Sequence, residues 1–263
     1  MRLSNRVNCD TMIKKQRKEM ENVINTVLFD LDGTIIHISQ QAFIGAYLDL
    51  IGKKFDQMGI DAQLGIKAIL AGRKEMVEGK EGKCTIDRFW PTFAKVTGVE
   101  SEKLADIKAS MDSFYSGEFN QIKQEVTPND IPKRLVRNMS AKGYSFILST
   151  NPLFPISAVR TRLSWIGLEP SDFLLITHCE NFNHCKPNLE YYRQILAATG
   201  KTPEQCLMVG NDTVEDMCAG QLGLETFLVT DFVENQSGAD ISKFRNGTLA
   251  QLEAYLLSLP SLT

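Results

Sequence analysis

Hydrophobic positions change their spacing along the chain. Residues 25–31 read as a short buried strand. From Ser39 to about Ser116 the apolar positions recur at helical intervals. They run Phe43, Tyr47, Leu50 and Ile51, then Leu64, Ile69 and Met76, then Phe89, Phe93 and Val96. Glycines at 52, 59, 72, 79, 82 and 98 punctuate this stretch, and GKEGKC at 79–84 reads as an exposed loop between helices. An all-helical insert is therefore expected after the first strand. Beyond Pro128 the pattern alternates. Helices are expected near 129–142, 155–166, 188–199, 213–222 and 248–258, and strands near 144–148, 173–177, 207–210 and 226–230. Such alternation predicts an α/β fold, a parallel sheet covered on both faces. Ligands of such sheets bind at the carboxyl ends of the strands. Residues 1–24 read as an N-terminal extension in which KKQRKEMENVI forms an exposed charged helix.

Composition narrows the picture by exclusion. The 263 residues are 43% hydrophobic and 23% charged, with a net charge of −3. Nothing in that balance favours nucleic acid or an anionic membrane as partner. No segment reaches the ~18 consecutive apolar residues of a membrane-spanning helix, and the N-terminus has no apolar signal-peptide core. The six cysteines are scattered, which fits a cytoplasmic protein with reduced thiols. His178–Cys179 and His184–Cys185 lack the spacing of a closed zinc site and read as core and loop residues.

Four groups of polar residues fall at strand ends or just before helices. Asp30 and Asp32 interrupt VLFDLDGT; Ser149, Thr150 and Asn151 close FILSTNP; Lys186 stands in HCKPNLEYY; Asp212 and Asp216 stand in LMVGNDTVEDMCAG. A parallel sheet would bring them to one edge. Crowded carboxylates raise one another's pKa unless a cation neutralises them. Oxygen-only donors favour a hard ion such as Mg²⁺. Hydroxyls, backbone amides and a lysine suit a phosphoryl group. Each residue also has a structural reading: Asp-Gly is a common turn, Asp212 is a plausible helix cap, and lysines are usually solvated.

DLDGT, STN, the Lys186–Pro187 pair and GNDTVED, in this order, resemble motifs I to IV of the haloacid dehalogenase superfamily. The resemblance spans residues 27–230 and implies a Rossmann-like doubly wound core. It also implies a C1-type helical cap, so that residues 25–37 and 128–263 form the core and 38–127 the cap. On that resemblance Asp30 is the nucleophile and a metal ligand. Asp32 is the general acid/base and offers its backbone carbonyl to the metal. Thr34, Ser149, Thr150, Asn151 and Lys186 form the phosphoryl-binding set, with Thr150 preferred to Ser149. Asp212 and Asp216 complete the Mg²⁺ site. An ungapped register would substitute Asn211 and Glu215.

The implied activity is a Mg²⁺-dependent phosphatase acting on a small phosphorylated metabolite through an aspartyl-phosphate. Asp32 separates this from dehalogenation, because halide needs no proton on leaving and family dehalogenases lack the second aspartate. A phosphomutase, or a silent phosphoryl-binding module, is the alternative. Cysteine phosphatases are excluded, since no arginine stands six positions after Cys179 or Cys185. Lys80, Lys83, Arg88 and Trp90 read either as a solvated turn or as a group meeting an anionic substrate.

Overall fold

A computed structural model describes residues 23–80 and 82–263. The expected N-terminal helix therefore lies almost wholly outside the described residues. Six strands form one parallel sheet: β1 (Thr26–Phe29), β2 (Ser145–Leu148), β3 (Leu175–Ile176), β4 (Cys206–Gly210), β5 (Glu225–Val229) and β6 (Asn246–Gly247). Their order is β3-β2-β1-β4-β5-β6. β1 lies near the middle and is fully buried, as a strand covered on both faces must be.

Alternation along the strands sorts the core. Val27, Phe29, Phe146, Leu148, Leu207 and Val209 face one side, which α5 (Ile131–Ala141) and α8 (Leu249–Ser258) cover. Leu28, Ile147 and Met208 face the other, against Tyr191, Tyr192 and Ile195 of α7 (Leu189–Thr199). α6 (Ile156–Trp165) presents Ala158, Val159 and Leu163 to the first cluster. This is the Rossmann-like arrangement expected of the pattern.

Between β1 and β2 the chain forms α1 (Gln40–Gln57), α2 (Ala62–Glu78), α3 (Ile86–Thr97) and α4 (Ser101–Ser116), then a 3₁₀ stretch at Glu118–Glu125. Ser39 and Asp61 cap α1 and α2 by accepting from Ala42 N and Leu64 N. Helices α2 and α3 meet at Gly72, where a Cβ would stand 2.5 Å from the Phe89 ring. The insert is tied to the loops after β2 and β3. Thr85 Oγ1 donates to Pro152 O at 2.7 Å, Thr85 N to Phe182 O at 2.7 Å, and Ile86 N to Cys179 O at 3.0 Å.

Two elements differ from expectation. The helix expected at 213–222 is a turn followed by a 3₁₀ stretch at Met217–Leu222. Asp212 Oδ1 accepts from Val214 N and Glu215 N, and Asp216 Oδ2 from Asp212 N, so side chains bind the amides that an α-helix would use differently. β6 has two residues and no apolar run to announce it.

Candidate active site

The centre of the site is a lysine held by two carboxylates. Lys186 Nζ donates to Asp30 Oδ1 at 2.8 Å and to Asp216 Oδ1 at 2.6 Å, and its side chain is 1% exposed. Asp30 follows β1, where its own N–H extends the ladder to Val209 O at 2.9 Å. Asp216 packs against the end of β4. A Cβ on Gly210 would fall 2.1 Å from the Asp216 carboxyl, so only glycine leaves room there. Burial works against the Lys186 ammonium, but the Asp216 and Asp30 charges outweigh it and hold its pKa well above the usual lysine range. Burial, reinforced by Asp30 and opposed by Lys186, pushes Asp216 up to about 7.

Asp32 has a partner that the motifs do not announce. Its Oδ2 accepts from Arg162 Nη1, while Asp32 Oδ1 and Arg162 Nη2 are buried without a hydrogen-bond partner. Arg162 lies on α6, 1% exposed, with its guanidinium 4.7 Å from the Phe154 ring centre and 5.7 Å from that of Phe43. Burial raises the Asp32 pKa; Arg162 opposes the rise, and the Asp30 charge adds to it. The carboxyl thus holds a proton more readily than an ordinary aspartate, beside a cation that stabilises its ionised form.

The remaining predicted residues divide by position. Thr150 and Asn151 line the cavity together with Asp30, Asp32, Asp212 and Asp216. Thr150 is fixed through its carbonyl, which accepts from Thr177 Oγ1 at 2.6 Å and Tyr191 OH at 3.0 Å. Asn151 Nδ2 donates to Glu215 Oε2 at 2.9 Å, and its Oδ1 accepts from Lys186 N at 3.3 Å. Ser149 is fully buried and donates to Met208 Sδ at 3.3 Å; strand alternation turns it beneath the sheet rather than into the cavity. Thr34 is also fully buried. Its single hydroxyl stands 3.0 Å from both Asp30 Oδ2 and Asn211 Oδ1, and it braces the Asp30 carboxyl from behind. Asn211 Nδ2 donates to Phe232 O at 2.7 Å, which occupies its amide in holding the loop.

The oxygen donors fit a hard divalent ion. Asp30, Asp212, Glu215, Asp216 and Glu234 all face one cavity of about 660 Å³. Among the described residues no three His, Cys, Asp or Glu side chains form a ready-made ligand cluster. Both Asp216 oxygens are engaged by Lys186 and by Asp212 N, whereas Asp212 uses one oxygen to cap its own turn.

The insert's contribution differs from the residues singled out in the sequence. Trp90 lines the cavity. Arg88 is buried and donates to the carbonyls of Glu75, Met76 and Asn183. Lys80 and Lys83 are exposed and off the cavity wall, where Arg73 and Lys108 stand instead. Burial pushes the Cys179 thiol far up and that of Cys185 up to about 12, which leaves neither poised as a nucleophile.

Comparison with known proteins identifies the family. A family profile described as haloacid dehalogenase-like hydrolase matches residues 24–222. Pyrophosphatase PpaX from Bacillus cereus is 24% identical over 198 residues, covering 75% of this chain and 79% of that protein. A solved 2-haloacid dehalogenase from Pseudomonas syringae pv. Tomato DC3000 matches with a TM-score of 0.59 and 17% identity, over 90% of this chain and 99% of that one. YfnB from Bacillus subtilis, solved bound to magnesium, matches with a TM-score of 0.54 and 20% identity, over 90% of this chain and 100% of that one. The structural likenesses speak to the fold, and the profile spans most of the chain with the lysine-bridged aspartates inside it: the protein belongs to the haloacid dehalogenase-like hydrolases.

Proposed function

We propose that the protein is a Mg²⁺-dependent phosphomonoesterase that hydrolyses a small phosphorylated metabolite through an aspartyl-phosphate on Asp30. The observation that carries this reading is the Lys186 ammonium held between Asp30 and Asp216, with the paired Asp32 carboxyl on the same cavity wall. An Asp30 oxygen attacks phosphorus as the bond to the leaving oxygen breaks. Asp32 gives its proton to that oxygen, which a halide would not need. The Asp32 carboxylate then takes a proton from a water that attacks phosphorus, releasing phosphate and restoring Asp30. Lys186, Thr150 and the Asn151 amide hold the phosphoryl oxygens through both steps.

Asp30, Asp212 and the Asp32 carbonyl are the groups that would hold Mg²⁺, with Asp216 fixing Lys186 and the Asp212 turn rather than binding the ion directly. The ion, when bound, neutralises charge that builds up on the transferring phosphoryl group. The Asp212 and Asp216 register is supported by the capping bond of Asp212 and the lysine bond of Asp216. Residues 38–127 act as the cap, and the magnesium bound to YfnB and the pyrophosphatase relative support the same chemistry. The five described cysteines are free thiols, which supports a cytoplasmic setting.

Phosphate release from a panel of phosphate esters with and without Mg²⁺ tests the reading. Turnover that needs Mg²⁺ and disappears in Asp30→Asn is the expected result. Full turnover in Asp30→Asn, or transfer to a second hydroxyl of the substrate without phosphate release, would sink it.

A further inference from the structure

The cavity that contains Asp30 continues into the helical insert, and there its chemistry changes. Near the nucleophile the wall is polar. Above it the insert supplies mainly apolar and aromatic side chains, among them Phe43, Ile69, Phe89 and Trp90. Ile44 and Leu70 on this wall are 45% and 53% exposed, so their apolar surface is open to whatever occupies the cavity. The insert's charged residues on this wall are Arg73, Lys108 and Asp112, with Glu180 of the loop after β3 beside Asp112, and the Lys108 ammonium lies 5.2 Å from the Trp90 ring centre. A cavity of about 660 Å³ is within the range that encloses a sizeable organic ligand.

We propose that the alcohol released by this enzyme is bulky, apolar and ring-bearing, so that the substrate is a phosphomonoester of such an alcohol. This rests on the phosphomonoesterase reading. With the phosphoryl group at Asp30 and Lys186, the ester oxygen faces Asp32 and the rest of the substrate must extend along the insert wall. A ring there covers Ile44, Leu70 and Trp90 and removes their apolar surface from water. Pyrophosphate or phosphoglycolate would fill a small part of the space. Each would also set a second anionic group against a mostly apolar wall, with only two exposed, flexible cations to meet it.

The test compares propyl phosphate with 3-phenylpropyl phosphate, whose leaving alcohols are nearly equal in acidity, so that the ratio reports the ring alone. Phosphoglycolate and pyrophosphate are run beside them, all with saturating Mg²⁺. The expected kcat/KM ratio for phenylpropyl over propyl is about 30 or more, the worth of burying a phenyl ring. Ile44→Asn and Leu70→Asn, both at exposed positions that the fold tolerates, each lower that ratio by about threefold. Titration calorimetry on Asp30→Asn with Mg²⁺ measures the same ranking in Kd without turnover. Phosphate release with a ratio near one, or with pyrophosphate or phosphoglycolate preferred, overturns the ring-bearing substrate and leaves the esterase reading standing. The ranking in Kd with no release from any ester supports the ring pocket and overturns the esterase reading.

Discussion

Replacing Arg162 by glutamine isolates the interaction that the motifs do not reveal. The guanidinium is 1% exposed, donates to Asp32 Oδ2 and lies over Phe154. The loss includes a charge-assisted hydrogen bond, about 1.5–3 kcal/mol, and a cation–π contact of about 0.5–2 kcal/mol. The full penalty for orphaning a buried charge, about 3–5 kcal/mol, does not apply, because the Asp32 side chain is 23% exposed and water in the cavity can reach it. A net loss of about 3 kcal/mol follows, a fall in Tm on the order of 6–12 °C for a chain of this size. Misplacing the acid should lower kcat/KM by roughly 10- to 100-fold.

The pH dependence has a definite sign. Arg162 lowers the Asp32 pKa against burial. Removing it raises that pKa further, so the alkaline limb of kcat/KM, where the acid is lost, moves to higher pH. A carboxyl whose folded pKa exceeds its unfolded value favours folding at low pH and loses that advantage as pH rises through the folded pKa. The variant's stability deficit should therefore shrink on acidification. Arg162→Lys keeps the charge but not the planar fork and should fall between the two. Thermal melts across pH, pH–rate profiles and a double-mutant cycle with Asp32→Asn provide the readouts. A glutamine variant with unchanged Tm and an unshifted alkaline limb would refute the pairing.

Three further outcomes are expected. Lys186→Met leaves Asp30 and Asp216 without their shared cation; denaturant unfolding should show a loss of about 3 kcal/mol, moderated by protonation of Asp216, and phosphate release should fall on the order of 10³-fold. Asp212→Asn should raise the Mg²⁺ concentration for half-maximal activity about tenfold or more, read from a metal titration of turnover, with Tm in chelator little changed. Gly72→Ala forces a methyl group to 2.5 Å from the Phe89 ring and should cost about 1–3 kcal/mol, measured by melting, because that ring is packed against Trp90 and Phe93 and must be displaced.

The parts of the site that were legible are those that topology alone positions. Asp30, Thr150, Asn151 and Asp212 follow β1, β2 and β4, and a parallel sheet brings such ends to one edge whatever the details. Thr150 is preferred to Ser149 because the hydroxyl that closes the apolar run is the one expected to meet a ligand, and strand alternation through Leu148 turns the Ser149 hydroxyl to Met208. Arg162 was missed although a signal existed. Ala158, Val159 and Leu163 mark the buried stripe of α6, and Arg162 falls on it, where an unpaired arginine would be prohibitive. The turn at 213–216 could not be read from periodicity, since Asp212 and Asp216 spend their oxygens on local amides. The aromatic wall was legible only as helix core, because periodicity reports which face is apolar and not whether protein or ligand covers it.

Charge balance across the cavity leads to a last prediction. Asp30, Asp32, Asp212, Glu215, Asp216 and Glu234 face Lys186 and Arg162. Burial raises the pKa of Asp32, Glu215, Asp216 and Glu234, and neighbouring carboxylates add to each rise. At this polar end of the cavity, away from Arg73 and Lys108 on the insert wall, two cations therefore leave the acidic groups underneutralised, and Asp216 is pushed up to about 7. A divalent cation favours the ionised forms and lowers these pKa values. Binding Mg²⁺ near pH 7 should then release protons, on the order of one per site. Titrating Mg²⁺ in weak buffer with a pH indicator measures the number directly, and calorimetry in buffers of different ionisation enthalpy measures it independently. The release should fall away as pH rises well above the Asp216 value of about 7, where that carboxyl is already ionised, and it should diminish in Asp216→Asn. Binding with no proton release at pH 7 would mean that the ion settles too far from Asp216 and Glu215 to favour their ionised forms, and the underneutralised-wall argument would fall with it.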